Sequence, residues 1–432
     1  MSPAPSSLRA RLGLDRSELM AWAMYDWANS AFLTVVVTAV FPIYYRSVAA
    51  AGLEPTAATG RFGLATTLAL VVAALLAPPL GVLADRSGGM LRLLARFMWI
   101  GVAATAALAL VGEGDWFLAL ALFVLANIGV TGSFVFYDAL LPHVARQDEL
   151  DRVSSAGYAM GYVGGGLALA LCLGLILGGP RLGLAGTLPT RLSFLIVAAW
   201  WAFFARPLFR RVTPPAAVGT PAPFGAVVRD AFGQVGRTLR DLRGYPQAFL
   251  MLLAFLLYND GIQTIIRMAT IYGEELKLDR TLMISAIVLV QFVGIPFAFL
   301  FGALASRIGT KPAIFLGIAG YVGITFLGWR LQTSRDFLVL AALVGMVQGG
   351  TQALSRSLFA RMIPRAKSGE FFGFFAIFEK FAGIFGPLLF SLAVYATGSS
   401  RTAILTTLVF FVAGGLLLSR VDVAKGEAQA SA

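Results

Sequence analysis

Long apolar runs alternate with short polar breaks along the whole chain. Twelve such runs stand out, at 20–45, 60–84, 92–112, 116–141, 153–178, 190–206, 246–272, 281–304, 311–331, 336–360, 370–396 and 402–420. A helix crosses a bilayer in about 20 residues at 1.5 Å rise each, and these runs are near or above that length. The pattern predicts an all-α polytopic membrane protein with twelve transmembrane helices in two groups of six. The longest polar break divides the groups. The expected domains are residues 1–206, a linker at 207–245, residues 246–420 and a tail at 421–432.

The linker opens rich in Pro, Ala and Thr. Phe224, Val227, Val228, Ala231, Phe232, Val235, Leu239 and Leu242 then recur at helical spacing, with Arg229, Arg237 and Arg240 off the stripe. That spacing predicts an amphipathic helix lying on a membrane surface, the alternative being a flexible tether with no surface contact.

Composition supports the membrane reading. The chain is 58% hydrophobic and 13% charged, against about 25% charged in a soluble protein. Its mean hydropathy is +0.80. A formal net charge of +12 could suggest nucleic acid, but the basic residues lie in short breaks between apolar runs, with no basic domain interleaved with aromatics. With both termini placed in the cytoplasm, 22 of the 34 Lys and Arg fall in cytoplasmic segments, nine on the other side and three within runs. The positive-inside rule therefore puts both ends inside the cell. The N-terminus lacks the short apolar region and cleavage site of a signal peptide, so the first run is expected to be retained. A single Cys172 and a single His143 exclude a disulfide within the chain and a thiolate–imidazole metal site.

The two halves repeat. Gly81-Val-Leu-Ala-Asp85-Arg86-Ser-Gly88 follows run two, and Gly302-Ala-Leu-Ala-Ser306-Arg307-Ile-Gly309 follows run eight, 221 residues later. The same offset carries Asn127 onto Gln348, Thr131 onto Gln352 and Gly165 onto Gly386. Parallel six-helix repeats joined by a linker are one architecture of secondary transporters.

The Gly81–Gly88 pattern and its weaker copy resemble the signature loop of the major facilitator superfamily. The resemblance implies a conformational lock at Gly81, Asp85, Arg86, Gly88, Gly302, Arg307 and Gly309. A finer resemblance is to the vacuole effluxer (autophagy-related permease-like) family, as a bacterial-type member. It rests on Tyr25-Asp26-Trp27-Ala28-Asn29-Ser30-Ala31-Phe32, Arg152-Val153-Ser154-Ser155, Gly157-Tyr158-Ala159-Met160-Gly161-Tyr162 and Tyr258-Asn259-Asp260-Gly261. Gly349-Gly350-Thr351-Gln352-Ala353-Leu354-Ser355-Arg356-Ser357 and Glu370-Phe371-Phe372-Gly373 complete it. Fungal members of that family are associated with amino-acid export from the vacuole.

Polar residues inside the runs are the candidate substrate and ion site, because such residues are costly in a bilayer and usually face a cavity or a partner. Trp22, Asp26 and Asn29 share one helical face, beside Tyr25, and that face is expected to look into a substrate cavity. Asp26 reads as a protonatable or ammonium-binding carboxylate, or else as a structural acid paired with a neighbouring helix. Asn259, Asp260, Gln263 and Arg267 mark run seven; the last three share a face that could hold a zwitterion or serve as a gate. Asp26 and Asp260 are expected to face each other across the repeats. Gln348, Gln352 and Arg356 form a polar stripe on run ten, and Asn127, Thr131 and Asp138 one on run four. Arg356 could contact substrate, snorkel or lock a loop. Glu379 and Lys380 point about 100° apart on a helix, so each is expected to find its own partner elsewhere. Gly386-Pro387 marks an expected hinge.

These features predict a secondary transporter moving a small polar solute by alternating access. Amino acids are the expected class, efflux the direction and protons the coupling ion. The expected setting is the bacterial inner membrane, as a monomer, with the lipid bilayer as surroundings and no nucleic-acid partner. No cofactor, metal or catalytic residue is expected, since no phosphate-binding Gly-x-x-x-x-Gly-Lys loop or Ser-His-Asp set is supplied. The alternatives are a lipid or amphiphile transporter of the same fold and a non-transporting membrane sensor.

Overall fold

The computed structural model describes residue 9 and residues 12–215, 244–275 and 280–431. The amphipathic segment expected within 224–242 lies outside the described residues. Twelve helices long and apolar enough to cross a membrane run Ser17–Ala49, Thr56–Arg86, Met90–Leu110, Trp116–Val144, Leu150–Leu182, Leu188–Arg211, Pro246–Arg267, Ser285–Ile308, Thr310–Trp329, Ser334–Arg361, Arg365–Thr397 and Ser400–Ser419. We number them spans 1 to 12. Each matches one apolar run, and several continue by a turn or more beyond it. No strand occurs among the described residues. With an even number of crossings, both termini and the linker share one end, here the near end; the other is the far end.

Spans 1 and 11 carry irregularities that bear on the site. Span 1 is α-helical over Ser17–Ala31, π-helical over Phe32–Val40 and again over Tyr45–Ala49. The first π stretch coincides with a β-branched run, Thr34 to Thr38, just before Pro42. Pro42 removes a donor and β-branching crowds the preceding turn, so the ladder widens there. The Thr38 hydroxyl takes up the Leu33 carbonyl at 2.9 Å. Span 11 breaks outright. Its near arm, Ser368–Phe381, ends at Ala382 (ψ 128°), and Gly383 has φ +94° before the far arm, Phe385–Thr397, begins. The break comes three residues before the expected hinge at Gly386-Pro387. Only glycine holds such a φ without strain, so Gly383 sets the position.

The two signature loops share one local device. Span 2 stops at Gly88 with φ +57°, and span 8 stops at Gly309 with φ +93°. The closing glycine of each copy thus supplies a positive-φ residue that ends one helix and turns the chain into the next, left-handed at Gly88 and extended at Gly309.

At the near end the halves are closed onto each other. Span 2 packs along the near arm of span 11, backbone against backbone at Gly81 and Gly369. A methyl group on Gly373 would come 2.7 Å from the Ala77 carbonyl oxygen. Spans 5 and 8 pair likewise, with Gly302 against Ser155 and Gly294 against the Tyr162 ring. Small residues let these helices approach, which is how membrane helices gain packing energy without a hydrophobic drive. Beyond the break, the far arm of span 11 packs on spans 7 and 12 of its own half.

The tail is a helix, Val423–Ser431, rather than a loose end. Lys311 binds the Ser419 and Val421 carbonyls at 2.8 and 2.7 Å, and Gln247 accepts the Asp422 N–H at 2.7 Å. Glu427 lies 3.7 Å from Arg361, over a cavity of about 570 Å³ that Gln147 of the other half also lines. The pair is half-buried and its separation long, so it is expected to contribute no more than about 1 kcal/mol. Replacing Glu427 with Gln is therefore expected to shift thermal unfolding by only a degree or so; a larger loss would mean the tail helix holds the near end shut.

Candidate substrate and coupling site

Arg356 is the centre of the site. Span 10 starts on a capping box in which Thr333 and Asp336 each accept the other's backbone N–H, at 3.2 and 2.8 Å. That start fixes the helix on which Gln348, Gln352 and Arg356 ride at four-residue steps. Arg356 is 2% exposed and reaches entirely into the other half. Its Nη1 donates to Asp138 Oδ1 of span 4 at 2.8 Å. Its Nε donates to Ser154 Oγ of span 5 at 2.9 Å, and Nη2 to the Ser154 carbonyl at 3.0 Å. Ser154 in turn donates to the Ala353 carbonyl at 2.7 Å, so the knot is tied from both sides.

Three aromatic rings box the guanidinium: Tyr158 at 4.7 Å, Trp22 at 4.9 Å and Tyr137 at 5.6 Å from its carbon. A planar, permanently charged guanidinium suits both bidentate and stacked contacts, and an ammonium would not. Asp26 closes the group. Its Oδ2 accepts from the Tyr137 hydroxyl at 3.2 Å and lies 4.0 Å from Arg356 Nη1. Tyr137 is itself held by Trp22, whose ring stacks on it at 4.5 Å and whose Nε1 donates to its carbonyl at 3.0 Å.

Nearer the near end, a second acid joins the halves. Asp151 of span 5 accepts from Ser357 at 2.6 Å, from Thr310 at 2.7 Å and from Arg361 at 2.8 Å. Asp85 of the signature loop accepts the Gly369 and Glu370 N–H groups at 2.9 and 2.8 Å, capping the near arm of span 11 from span 2. A carboxylate there meets both the free N–H groups and the positive end of the helix dipole. His143 meets the Ser368 hydroxyl at the same seam, at 2.9 Å.

The other candidates divide. Trp22, Tyr25, Asp26 and Asn29 are buried, so this face of span 1 packs into protein instead of lining an open cavity. Asn259 and Asp260 are buried too. Asp260 does not face Asp26. Its Oδ1 accepts the Gly383 and Gly386 N–H groups at 2.7 and 2.9 Å, across the break in span 11. Arg267 donates to the Gly383 carbonyl at 3.3 Å. Asn259 and Gln352 approach at 3.5 Å, within one half. Asn127 bonds back to the Phe123 carbonyl of its own helix.

Asn127, Gln263, Gln291, Gln348, Gln352, Glu379 and Lys380 are half-buried polar groups within the spans. Glu379 and Lys380 do meet each other, at 3.6 Å, against the expectation of separate partners. Backbone direction keeps their Cβ atoms apart, but long flexible side chains curl back far enough to pair. Both lie within electrostatic reach of Asp138. In the signature loops, Gly81 and Gly302 are buried at the seam, Arg86 and Gly88 are half-buried, and Arg307 and Gly309 are exposed.

Sequence reasoning singled out Asp26, Asp138 and Arg356 but not Tyr137, Ser154 or Asp151 as site residues. The available signal was an aromatic beside an intramembrane acid, Tyr137-Asp138, which repeats the Tyr25-Asp26 pairing of span 1.

Two six-helix halves meeting at buried ion pairs define a transporter of the major facilitator type. The fold is similar to that of the proton:xylose symporter XylE bound to 6-bromo-6-deoxy-D-glucose (TM-score 0.71, 14% identity, 95% of this chain and 96% of that one). It is also similar to FucP in the outward conformation (TM-score 0.69, 15% identity, 94% and 100%). The chain belongs to the vacuole effluxer Atg22-like family, whose model matches residues 58–431. It is 37% identical over 408 residues to the uncharacterized MFS-type transporter YxiO of Bacillus subtilis, covering 93% of this chain and 94% of the relative. It is 28% identical over 300 residues to autophagy-related protein 22 of Cryptococcus neoformans, covering 65% of this chain and 52% of that protein. The chain is thus a multi-pass membrane transporter and not an enzyme.

Proposed function

We propose that this transporter exports a small amine-bearing polar solute, of the amino-acid class, in exchange for protons across a bacterial plasma membrane. The near end is the cytoplasmic end, as the surplus of Arg and Lys there supports. The observation that carries the reading is the charge count at the seam. Asp26, Asp138 and Glu379 face Arg356 and Lys380, so three acids meet two bases at the surface between the halves.

One positive charge balances this group, and either a proton or a solute ammonium supplies it. Protons entering from the far side neutralise an acid facing Arg356. The tether to spans 4 and 5 weakens, and the near end opens. There the proton leaves, which restores the carboxylate, and a solute ammonium pairs with it; with the group balanced again the seam closes. The same acids therefore bind proton and solute alternately, which is antiport. Gln352 and Gln348, one and two turns from Arg356 on span 10, and Asn127, three turns from Asp138 on span 4, are half-buried and suited to hydrogen-bond the rest of the solute.

Flux of labelled amino acids in proteoliposomes, with and without a pH gradient, tests the reading. Solute uptake driven by an outwardly directed proton gradient is expected; indifference to gradients of either sign would overturn the reading. Asp26→Asn is expected to lose gradient-driven flux while retaining some solute counterflow. Unchanged coupling in that variant would reduce Asp26 to a packing residue.

A further inference from the structure

The break in span 11 divides a membrane helix into arms with different attachments. The near arm is clamped to the other half, by backbone contact with span 2 and by Asp85 at its N-terminus. The far arm belongs to its own half, on spans 7 and 12. Between them lie Ala382, Gly383 and Ile384, outside regular helix. Breaking a helix inside a bilayer strands backbone N–H and C=O groups that water cannot satisfy, at several kcal/mol each. Such a break persists only where other groups take over those bonds.

Span 7 takes them over. Asp260 accepts the Gly383 and Gly386 N–H groups, so it caps the far arm's N-terminus from another helix. Arg267 donates to the Gly383 carbonyl. Thr264, one turn on from Asp260, packs where a side chain on Gly386 would stand. A carboxylate on the positive end of a thirteen-residue helix is held by dipole and hydrogen bonds together. Acceptor and donor thus hold the two strands of one pivot.

We propose that the far arm of span 11 is a separately moving outer gate, hinged at 382–384, with Asp260 and Arg267 of span 7 as its positioning residues. The near arm stays with span 2 while the far arm swings about the Asp260 cap to cover the far-side entrance. Outward closure would then include a local bend, before and apart from rocking of the whole half. The inference does not depend on which solute is carried.

Spin-label distances on the full-length protein in nanodiscs test it, in a Cys172→Ser background. One pair, Leu64→Cys with Leu392→Cys, reads span 2 against the far arm. A second, Leu64→Cys with Val339→Cys, reads span 2 against the outer start of span 10, and so the half as a body. The first pair is expected to show two distances where the second shows one. Asp260→Ala and Arg267→Gln are expected to broaden the first distribution and leave the second unchanged. Asp260→Asn, which retains one acceptor oxygen, is expected to fall between wild type and Asp260→Ala. If Asp260→Ala fails to fold, Asp260→Asn and Arg267→Gln carry the same comparison. Distributions that shift together in both pairs, or a first pair indifferent to these substitutions, would overturn the hinge.

Discussion

Replacing Arg356 with leucine is expected to abolish transport and to cost the folded protein about 3–5 kcal/mol, the usual penalty for removing one partner of a buried ion pair. The reason lies in what remains. Asp138 would keep its place at the seam with its main counter-charge gone, and Asp26 would lose its nearest cation. The Ser154 carbonyl would lose its donor, and three aromatic rings would face a hole in place of a guanidinium. The double variant Arg356→Leu with Asp138→Leu separates stability from function. It removes both charges, so much of the lost stability is expected to return while transport stays absent. Thermal unfolding of purified protein and solute flux in vesicles read the two quantities. A double variant no more stable than the single would show that packing around Arg356, and not its charge, dominates. Arg356→Lys is expected to be nearly as inactive, because a point charge cannot satisfy Asp138 and Ser154 together.

Gly373→Val is expected to turn the transporter inside out. Its first added carbon would stand 2.7 Å from the Ala77 carbonyl oxygen, with Pro78 close by, where span 2 and the near arm of span 11 touch. Overpacking of this kind costs about 1–3 kcal/mol. Here the cost falls on the closed near end alone, since an open near end separates the two helices. Every 1.4 kcal/mol is a factor of ten, so the near-closed state is expected to lose about 5- to 150-fold in population relative to the near-open one. Labelling of Ser155→Cys, a buried seam residue opposite Gly302, reads this directly. Its reaction with a soluble maleimide is expected to accelerate in the Gly373→Val background. An unchanged rate would mean the two helices stay together throughout the cycle.

The spans were legible in the sequence because bilayer thickness imposes one length on every crossing. The runs at 92–112 and 402–420, for example, correspond to Met90–Leu110 and Ser400–Ser419. The irregular stretches were not legible. The π segments of span 1 keep the same apolar composition as the α-helix around them, and periodicity assumes 3.6 residues per turn throughout. The obvious breakers of span 11 are Gly386-Pro387, yet the break falls at Gly383, whose positive φ ends the near arm and whose backbone Asp260 and Arg267 take up.

The site shows the same division. That Asp26, Asp138 and Arg356 stand out as candidates follows from their cost in a membrane. That Arg356 meets Asp138, while Asp260 turns away to a helix terminus, depends on which spans are neighbours, and that is a property of the packed bundle. Ser154 stands in a family-like motif, but nothing in the sequence pairs it with span 10; its place in the knot comes from facing Arg356. Glu379 and Lys380 show the limit of reasoning from helical angle, since side-chain length outweighed backbone direction.

The seam also has a consequence for how the chain is made. Both acids next to Arg356 are translated in the first half, and the arginine arrives only with span 10. Domains leaving the ribosome assemble N-terminus first. Through the synthesis of spans 5 to 9, the nascent first half therefore holds Asp26 and Asp138 without the cation that settles them. Produced alone, that half would be an incomplete charge pattern rather than a smaller version of the protein. Its assembly partner is written into the far part of the same message, and the two halves stay mutually dependent for as long as the arginine and the acids are encoded on opposite sides of the linker.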